Sequence, residues 1–318
     1  MYKLRCAVVL VFASGWLSAS LACPVPVYQY ALEHWVSDPY EVVVTYAGAL
    51  SAEQEEALAM LRRAGEGGAA GANLTVRVAE PDAAAAEDGT GEPHAARIEV
   101  RYPAPARIQR PVWTGALSRE HVAALLDSPL RRKIGAAQLR RTSAVWLLLE
   151  SGDRRADRET EQLLKRELQR LEKEVLVPEV ADWGGETVTL DHNVNFEVLR
   201  VSRKDPAEQM LVRMLLGSEP DLEEGFAGQP IVFPVYGRGL VLYALVGRGI
   251  NPWTIEEAVN FLCGPCSCQI KAANPGLDLL MSIDWEGQIR PMTPAAVGGT
   301  VGTGSFLQRL DEAQEQDE

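Results

Sequence analysis

Three of the five cysteines in this 318-residue chain lie within six positions, in the segment FLCGPCSCQIK at residues 261–271. Cys263 and Cys266 stand in a C-x-x-C pattern, and Cys268 follows two residues later. A dithiol with this spacing can exchange electrons with a disulfide, close into a structural disulfide, or supply thiolate ligands to a metal ion. The elements that position the segment must decide among these three chemistries.

The N-terminus has the features of an export signal. Residues 1–5 form a short basic segment, and residues 6–17 are mostly apolar. Ser20-Leu21-Ala22 then supplies small residues at the two positions that signal peptidase recognises. The apolar run is shorter than the about 20 residues that a membrane-spanning helix needs. We therefore expect residues 1–22 to be a signal peptide and Cys23 to begin an exported, periplasmic or extracellular protein.

Cysteine usage fits an oxidising compartment. Once Cys6 is removed with the signal, four cysteines remain, and they could form two disulfides in any of three connectivities: Cys23, Cys263, Cys266 and Cys268. Because Cys23 stands at the processing point, it could instead carry a lipid that anchors the N-terminus to a membrane. Lipoprotein signals favour a leucine-like residue three positions earlier, where this chain has Ser20.

Composition limits the partners. A formal net charge of −13 disfavours nucleic acid and anionic membrane surfaces, since both are polyanions. No later stretch reaches the length of a membrane span, and no phosphate-loop or dinucleotide motif predicts a cofactor. With 47% hydrophobic residues the chain can bury a large core, and its length suggests two domains. We expect the partner to be an unknown protein or a small ligand.

Residues 23–141 have the pattern of one α/β unit. β-branched or alternating residues predict strands at 41–46, 74–78, 97–102 and 111–114. Ser51, at capping-box spacing from Gln54, and Ser118 predict two helix starts. The Ala/Gly/Asp-rich segment 80–96 predicts a loop.

Residues 142–285 repeat this order. Strands are predicted at 143–149, at 196–201, and as an antiparallel pair within 231–246 that is broken by Gly237-Arg238-Gly239. Helices are predicted at 157–175, at 205–217, and from Thr254, with Glu257 completing a capping box. The residues around Trp183-Gly184-Gly185 predict a loop, and residues 286–318 a flexible acidic tail.

This order, strand-helix-strand-helix-strand-strand-helix, resembles the thioredoxin fold. The segment GQPIVFPVYGRGLVLYALVGRGINPWTIEEAVNFL is similar to the end of that fold, with a proline, a strand, a glycine turn, a strand, a glycine and a capped helix. The resemblance implies that Pro230 is the family's cis proline. Residues 41–126 resemble a second, looser copy, with Pro93 or Pro111 near the corresponding place. The fold class expected is therefore α/β, with two tandem thioredoxin-like domains built on mixed sheets flanked by helices.

Two further stretches, CPVPVYQYALEHW and CSCQIKAANPGLDLL, resemble a group of exported bacterial proteins without an assigned activity. That likeness implies export and supplies no mechanism.

The family's reactive dithiol lies between a strand and the N-terminus of the next helix, where the helix dipole stabilises a thiolate. The corresponding residues are 150–155, ESGDRR, in the second unit and 47–50, AGAL, in the first, and neither contains cysteine. Cys263 and Cys266 instead follow the last helix of a completed unit. We therefore predict a non-catalytic binding or scaffold protein in which a disulfide pins Cys23 to one of the three C-terminal cysteines.

Two alternatives remain open. The first is a thiol-disulfide oxidoreductase that uses Cys263 and Cys266, with Cys268 resolving or regulating. The second is a metal site, since Cys23 and the C-x-x-C-x-C pattern supply four thiolates suited to zinc or copper. No histidine lies near these cysteines in sequence.

Overall fold

The computed structural model describes residues 25–67, 71–80, 96–177, 180–183, 186–189, 193–266, 271 and 276–292. The predicted signal peptide, Cys23, Cys268, Pro93 and residues 293–318 of the predicted tail lie outside these residues.

The described residues form strands and helices in alternation. The strands are β1 (Tyr40–Thr45), β2 (Leu74–Ala79), β3 (Arg97–Arg101), β4 (Pro111–Ala116), β5 (Ala144–Leu149), β6 (Val180–Trp183), β7 (Glu186–Thr189), β8 (Phe196–Val201), β9 (Ile231–Tyr236), β10 (Leu240–Val241), β11 (Leu245–Val246) and β12 (Leu277–Asp278). The helices are α1 (Val27–His34), α2 (Ala52–Glu66), α3 (Arg119–Leu126), α4 (Pro129–Leu139), α5 (Arg154–Glu174), α6 (Gln209–Gly217), α7 (Leu222–Gly225), α8 (Pro252–Cys263) and α9 (Trp285–Gln288).

The first sheet has the strand order β2-β1-β3-β4. β1 runs parallel to β2 and antiparallel to β3, and β3 is antiparallel to β4. Helix α2 begins where the sequence predicts it, because Ser51 and Gln54 form a reciprocal capping box. Its apolar face and that of α3 are buried, through Ala57, Leu58, Leu61, Val122 and Leu125.

The second sheet has the order β12-β10-β9-β5-β8, with β11 also paired to β9. β5 is parallel to β8 and antiparallel to β9, and β9 is antiparallel to β10. The run β8-β5-β9-β10 therefore has the same order and directions as β2-β1-β3-β4. The predicted α/β class, with two mixed sheets flanked by helices, is confirmed.

The central strand β5 separates two apolar layers. Every residue of β5 is buried, and alternate side chains face opposite sides of the sheet. Val145, Leu147 and Leu149 join a core that is continuous with the first sheet. Ala144, Trp146 and Leu148 join a second core that is filled by α5, α8 and α1. Helix α1 therefore packs on the second sheet, although it precedes the first sheet in the chain.

The loop predicted around Trp183 is a β-hairpin. Strands β6 and β7 pair antiparallel, with Val180 opposite Thr189 and Trp183 opposite Glu186. The loop prediction gave weight to the glycine pair and missed the flanking β-branched residues, although glycines between two such runs are a hairpin pattern.

The segment after β12 ties the two sheets together. The Asn73 side chain, just before β2, donates a hydrogen bond to the Leu279 carbonyl (3.1 Å) and accepts one from the Met281 N–H (2.7 Å). Ala72 and Ser282 form an isolated antiparallel bridge. Residues 279–282 therefore help to fix the first unit against the second.

Candidate functional site

The cysteine segment is positioned by helix α8. The Asn251 side chain accepts a hydrogen bond from the Thr254 N–H, and the Thr254 hydroxyl accepts one from the Asn251 N–H. Pro252 occupies the first turn, where a missing N–H costs nothing. The helix therefore begins before Thr254, and the predicted cap at Thr254 with Glu257 is wrong. The predicted inner face is buried, through Ile255, Ala258, Val259 and Leu262.

Both described cysteines lie at the C-terminal end of this helix. Cys263 is the last residue of α8, and Cys266 follows Gly264 and Pro265. Cys263 is 8% exposed and Cys266 is 1% exposed, and both belong to the core layer that contains Trp146. They are not bonded to each other. Both thiols are therefore shielded from solvent by the core that packs around the end of α8.

Electrostatics at this end of the helix oppose thiolate formation. The C-terminus of a helix carries partial negative charge, which disfavours a nearby anion. Burial raises the pKa of Cys263 from 9.0 to about 12. Because the thiolate is the form that attacks disulfides and binds metals, Cys263 is a poor nucleophile and a poor ligand in this conformation.

The start of the described chain pairs with the cysteine segment. The Val27 N–H donates to the Gly264 carbonyl (3.0 Å), and the Cys266 N–H donates to the Val25 carbonyl (2.8 Å). Between them, Pro26 and Pro265 face each other as an antiparallel bridge. Residues 25–27 therefore lie directly beside the second cysteine of the C-x-x-C pattern.

Helix α1 is anchored by a buried arginine. Arg238, 5% exposed, donates to the carbonyls of Leu32 (2.9 Å) and Glu33 (3.0 Å) at the C-terminus of α1 and forms an ion pair with Glu286 (2.5 Å). Its neighbour Gly237 has φ of +58°, and a Cβ there would lie 2.9 Å from the Ala31 Cβ. The turn therefore requires glycine for its backbone conformation and for the close approach of α1.

Replacing this anchor should loosen α1. In Arg238→Met, two buried carbonyls at the end of α1 lose their donor, so we expect the free energy of unfolding to fall by about 3 kcal/mol. Alkylation of Cys263 should become faster, because α1 packs in the same core as that cysteine. Urea unfolding and peptide mass spectrometry measure the two effects. Arg248→Met, at an exposed position in the next turn, is the matched control, and an equal loss in both variants would contradict the anchoring role.

A cluster of polar side chains around the buried Asp278 lies near Cys266. Asp278 Oδ2 accepts the Asp38 N–H (2.9 Å), and Lys271 Nζ lies 3.5 Å from a carboxylate oxygen of each aspartate. Burial raises the pKa of Asp278 from 3.8 to about 6, which Lys271 opposes. The Tyr236 hydroxyl is buried without a hydrogen-bond partner, and burial, then Asp278 and Cys266, raise its pKa. The Asp278 carboxyl group can therefore hold a proton near neutral pH. Because Asp278 is only 5% exposed, this proton is shielded from solvent.

Two aspartate side chains hold the connection between β5 and α5. Asp157, 2% exposed, accepts hydrogen bonds from the N–H and hydroxyl of Ser151 (both 2.8 Å) and from the Gly152 N–H (3.2 Å). Asp153 caps α5 through the N–H groups of Arg155 and Ala156. Both carboxylates are thus committed to the loop and the helix start. This crossover carries no thiol and no histidine beside its serine.

Pro230, for which the resemblance predicts a cis proline, lies directly before β9. The described backbone contains no cis peptide bond, so the bond before Pro230 is trans and the prediction of a cis proline is wrong. The trans form is the intrinsic preference of an X–Pro bond by about 0.5–1 kcal/mol. Arg203 holds the preceding loop by donating to the carbonyls of Glu150 (2.9 Å), Phe226 (3.2 Å) and Gln229 (3.0 Å).

Two of the four cysteines of the predicted disulfide and metal sites belong to the described residues. The structure places Cys263 and Cys266 close to residues 25–27, whereas Cys23 and Cys268 lie outside the described residues. Within the described ranges, no three His, Cys, Asp or Glu side chains are grouped to hold a metal ion. In that same part of the chain, no helix is both long and apolar enough to cross a membrane.

Sequence reasoning missed the buried charged residues, above all Arg238, Asp278 and Glu33. Arg238 stands in a Gly-Arg-Gly sequence that predicts only a tight turn between two strands, and Glu33 forms an ion pair with the distant Arg141 (2.8 Å). No local pattern marks such residues, because their partners are distant in the sequence. Searches with the sequence match no protein-family model and no curated protein.

Proposed function

We propose that the protein is an exported, non-catalytic binding or scaffold module built from two thioredoxin-like units. Its cysteines fasten the N-terminal segment to the end of α8, and its partner is a protein or a small ligand. The observation that carries this proposal is the antiparallel contact of residues 25–27 with residues 264–266, which brings the residues that closely follow Cys23 to the cysteine segment.

The strand order supports the likeness to thioredoxin. From β5 to α8 the predicted strands and helices occur in the predicted order, with the β6-β7 hairpin, α7 and β11 added between them. The four strands of the first sheet have the same order and directions, and so we interpret the first unit as a looser copy. Pro111 begins the fourth strand of that copy, and so it does not correspond to Pro230, which precedes the third strand.

The absence of catalysis is inferred from position and burial. A thioredoxin-type nucleophile needs the positive end of a helix and access to a partner disulfide. Cys263 stands at the negative end of α8, and both Cys263 and Cys266 are buried. These features disfavour the alternative of a thiol-disulfide oxidoreductase.

The register of the described contact favours one disulfide among those open from the sequence. Pro26 faces Pro265, and Cys23 precedes the first by three residues while Cys268 follows the second by three. Because Cys23 and Cys268 stand at equal distances along the chain from the two paired prolines, we propose Cys268 as the partner of Cys23. The bond would close nearly the whole mature chain and restrict the unfolded state by about 5 kcal/mol on the chain-entropy model.

Intact mass and thiol counting on the exported protein test the proposal. We expect cleavage after Ala22, one disulfide that joins Cys23 to Cys268, and no turnover of a disulfide substrate. Cys268→Ser should release Cys23 as a reactive thiol, whereas the matched variant Cys263→Ser should leave the disulfide intact. A mass increase for lipid on Cys23 would replace the disulfide with a membrane anchor. Rapid turnover through Cys263 and Cys266, or one stoichiometric zinc or copper ion held by four thiolates, would contradict the proposal.

A further inference from the structure

A cavity of about 160 Å³ opens at the seam between the two units. Ile108, in the connection between β3 and β4, forms one wall, and Leu277, at the start of β12, forms another. Val241 of β10 is 1% exposed and Leu277 is 3% exposed, so the base of the cavity is apolar and belongs to the shared core. Small-molecule sites commonly lie at such domain junctions.

One charged side chain lines this cavity, that of Glu219. Its Oε1 accepts the Ala244 N–H (3.1 Å), which fixes the carboxylate at the rim. No lysine, arginine or histidine of the described chain lies within 4.0 Å of it, unlike the neighbouring Glu223, which pairs with Arg110 (3.0 Å). A positioned carboxylate without a cationic partner is a site of charge complementarity for a bound cation.

The other polar residues of the lining, Ser218 and Tyr243, carry no positive charge that would compete with a bound cation. The Ser218 hydroxyl already donates to the Leu215 carbonyl (2.7 Å). Tyr243 is 37% exposed and belongs to the lining of the cavity, and aromatic faces attract organic cations. The net charge of −13 also attracts cations to the protein at long range.

We propose that the seam cavity binds a small organic cation, with an alkyl chain against Val241, Leu277 and Ile108 and an ammonium group at Glu219 and Tyr243. This inference rests on the binding role proposed above and gives that role a ligand class. The volume limits the ligand to a short alkylamine or the end of a longer one, because drug-sized ligands occupy cavities of about 300 Å³ or more.

Titration of the full mature protein with n-butylammonium chloride tests the proposal, with n-butanol as a neutral probe of the same size. We expect saturable shifts of backbone amide NMR signals that include those of Tyr243 and Gly276, and binding of n-butanol about tenfold weaker. Glu219→Gln keeps the acceptor for the Ala244 N–H but loses the charge, so it should weaken binding of the amine about tenfold. Tyr243→Leu should weaken it about threefold, and Tyr243→Phe should retain it.

The exposed Glu224→Gln, which removes the same charge nearby, is the matched control and should bind the amine as the wild type does. Equal affinity for the amine and the alcohol, no loss in Glu219→Gln, or no saturable binding of the amine would overturn the ligand class. Any of these results would leave the disulfide measured by intact mass unaffected, so this failure differs from that of the proposed function. Turnover of disulfide substrates would contradict the proposed function, whatever the amine titration gives.

Discussion

Cys263 should react with iodoacetamide at pH 8 about a thousandfold more slowly in the folded protein than an ordinary exposed cysteine. Its pKa is raised from 9.0 to about 12, and three pH units lower the thiolate fraction by about that factor. The thiol itself is only 8% exposed, which slows the reagent further. The rate is measured by timed alkylation followed by peptide mass spectrometry.

Two controls show whether the slow alkylation of Cys263 results from its position in the folded protein. Ala123→Cys places a thiol at an exposed position of α3 and supplies the reference rate in the same folded protein. Urea should bring the rate at Cys263 to that of the reference, because unfolding removes both the burial and the helix end. Fast alkylation of Cys263 in the native protein, with a midpoint near neutral pH, would instead identify a reactive dithiol and reverse the assignment of the cysteine segment.

The sequence predicts the elements well, because their patterns are local. The apolar face of α5, at Leu164, Leu168 and Leu171, is buried, and the antiparallel strands on either side of Gly237-Arg238-Gly239 are β9 and β10. The helix that ends at Cys263 is also predicted from its buried apolar face, although its cap is formed by Asn251 and not by Thr254 with Glu257.

The contacts that give the site its chemistry depend on distant residues and could not be predicted. Nothing local in Val25-Pro26-Val27 indicates pairing with residues more than two hundred positions away. The same holds for Arg238, whose acceptors lie on α1, and for Glu219, which has no cationic partner among the described residues, a property of the folded surface. The cis prediction at Pro230 failed because it rested on a resemblance, whereas the sequence itself contains no signal for a cis bond.

Asp278 should make the protein less stable as the pH rises from 4 to 7. Its carboxyl group is packed among Asp38, Lys271 and the buried Tyr236, and the Tyr40 hydroxyl donates to its backbone carbonyl (2.7 Å). Burial raises its pKa from 3.8 to about 6, so the folded state binds this proton more tightly than the unfolded state does. The stability from the bound proton is complete below about pH 4 and is lost as the pH rises through 6.

The shift corresponds to about 3 kcal/mol of unfolding free energy at neutral pH. Asp278→Asn keeps an oxygen that can accept the Asp38 N–H and has no proton to lose, so it should lack this dependence. We therefore expect the unfolding free energy of the wild type, minus that of the variant, to fall by about 2 kcal/mol between pH 4 and pH 7, because the unfolded-state carboxyl group is already partly ionised at pH 4. Urea denaturation across that range measures the difference.

The difference between two proteins is the informative quantity, because other carboxylates titrate in the opposite sense. Hydrogen bonds from Arg77 and Lys165 lower the pKa values of Glu41 and Glu161, so these groups stabilise the fold as the pH rises. They are present in both proteins and cancel in the subtraction. The exposed Asp221→Asn controls for the loss of one carboxylate and should keep the wild-type slope. A difference that stays flat from pH 4 to pH 7, or that rises, would show that Asp278 is ionised in the folded protein and that Lys271 outweighs its burial.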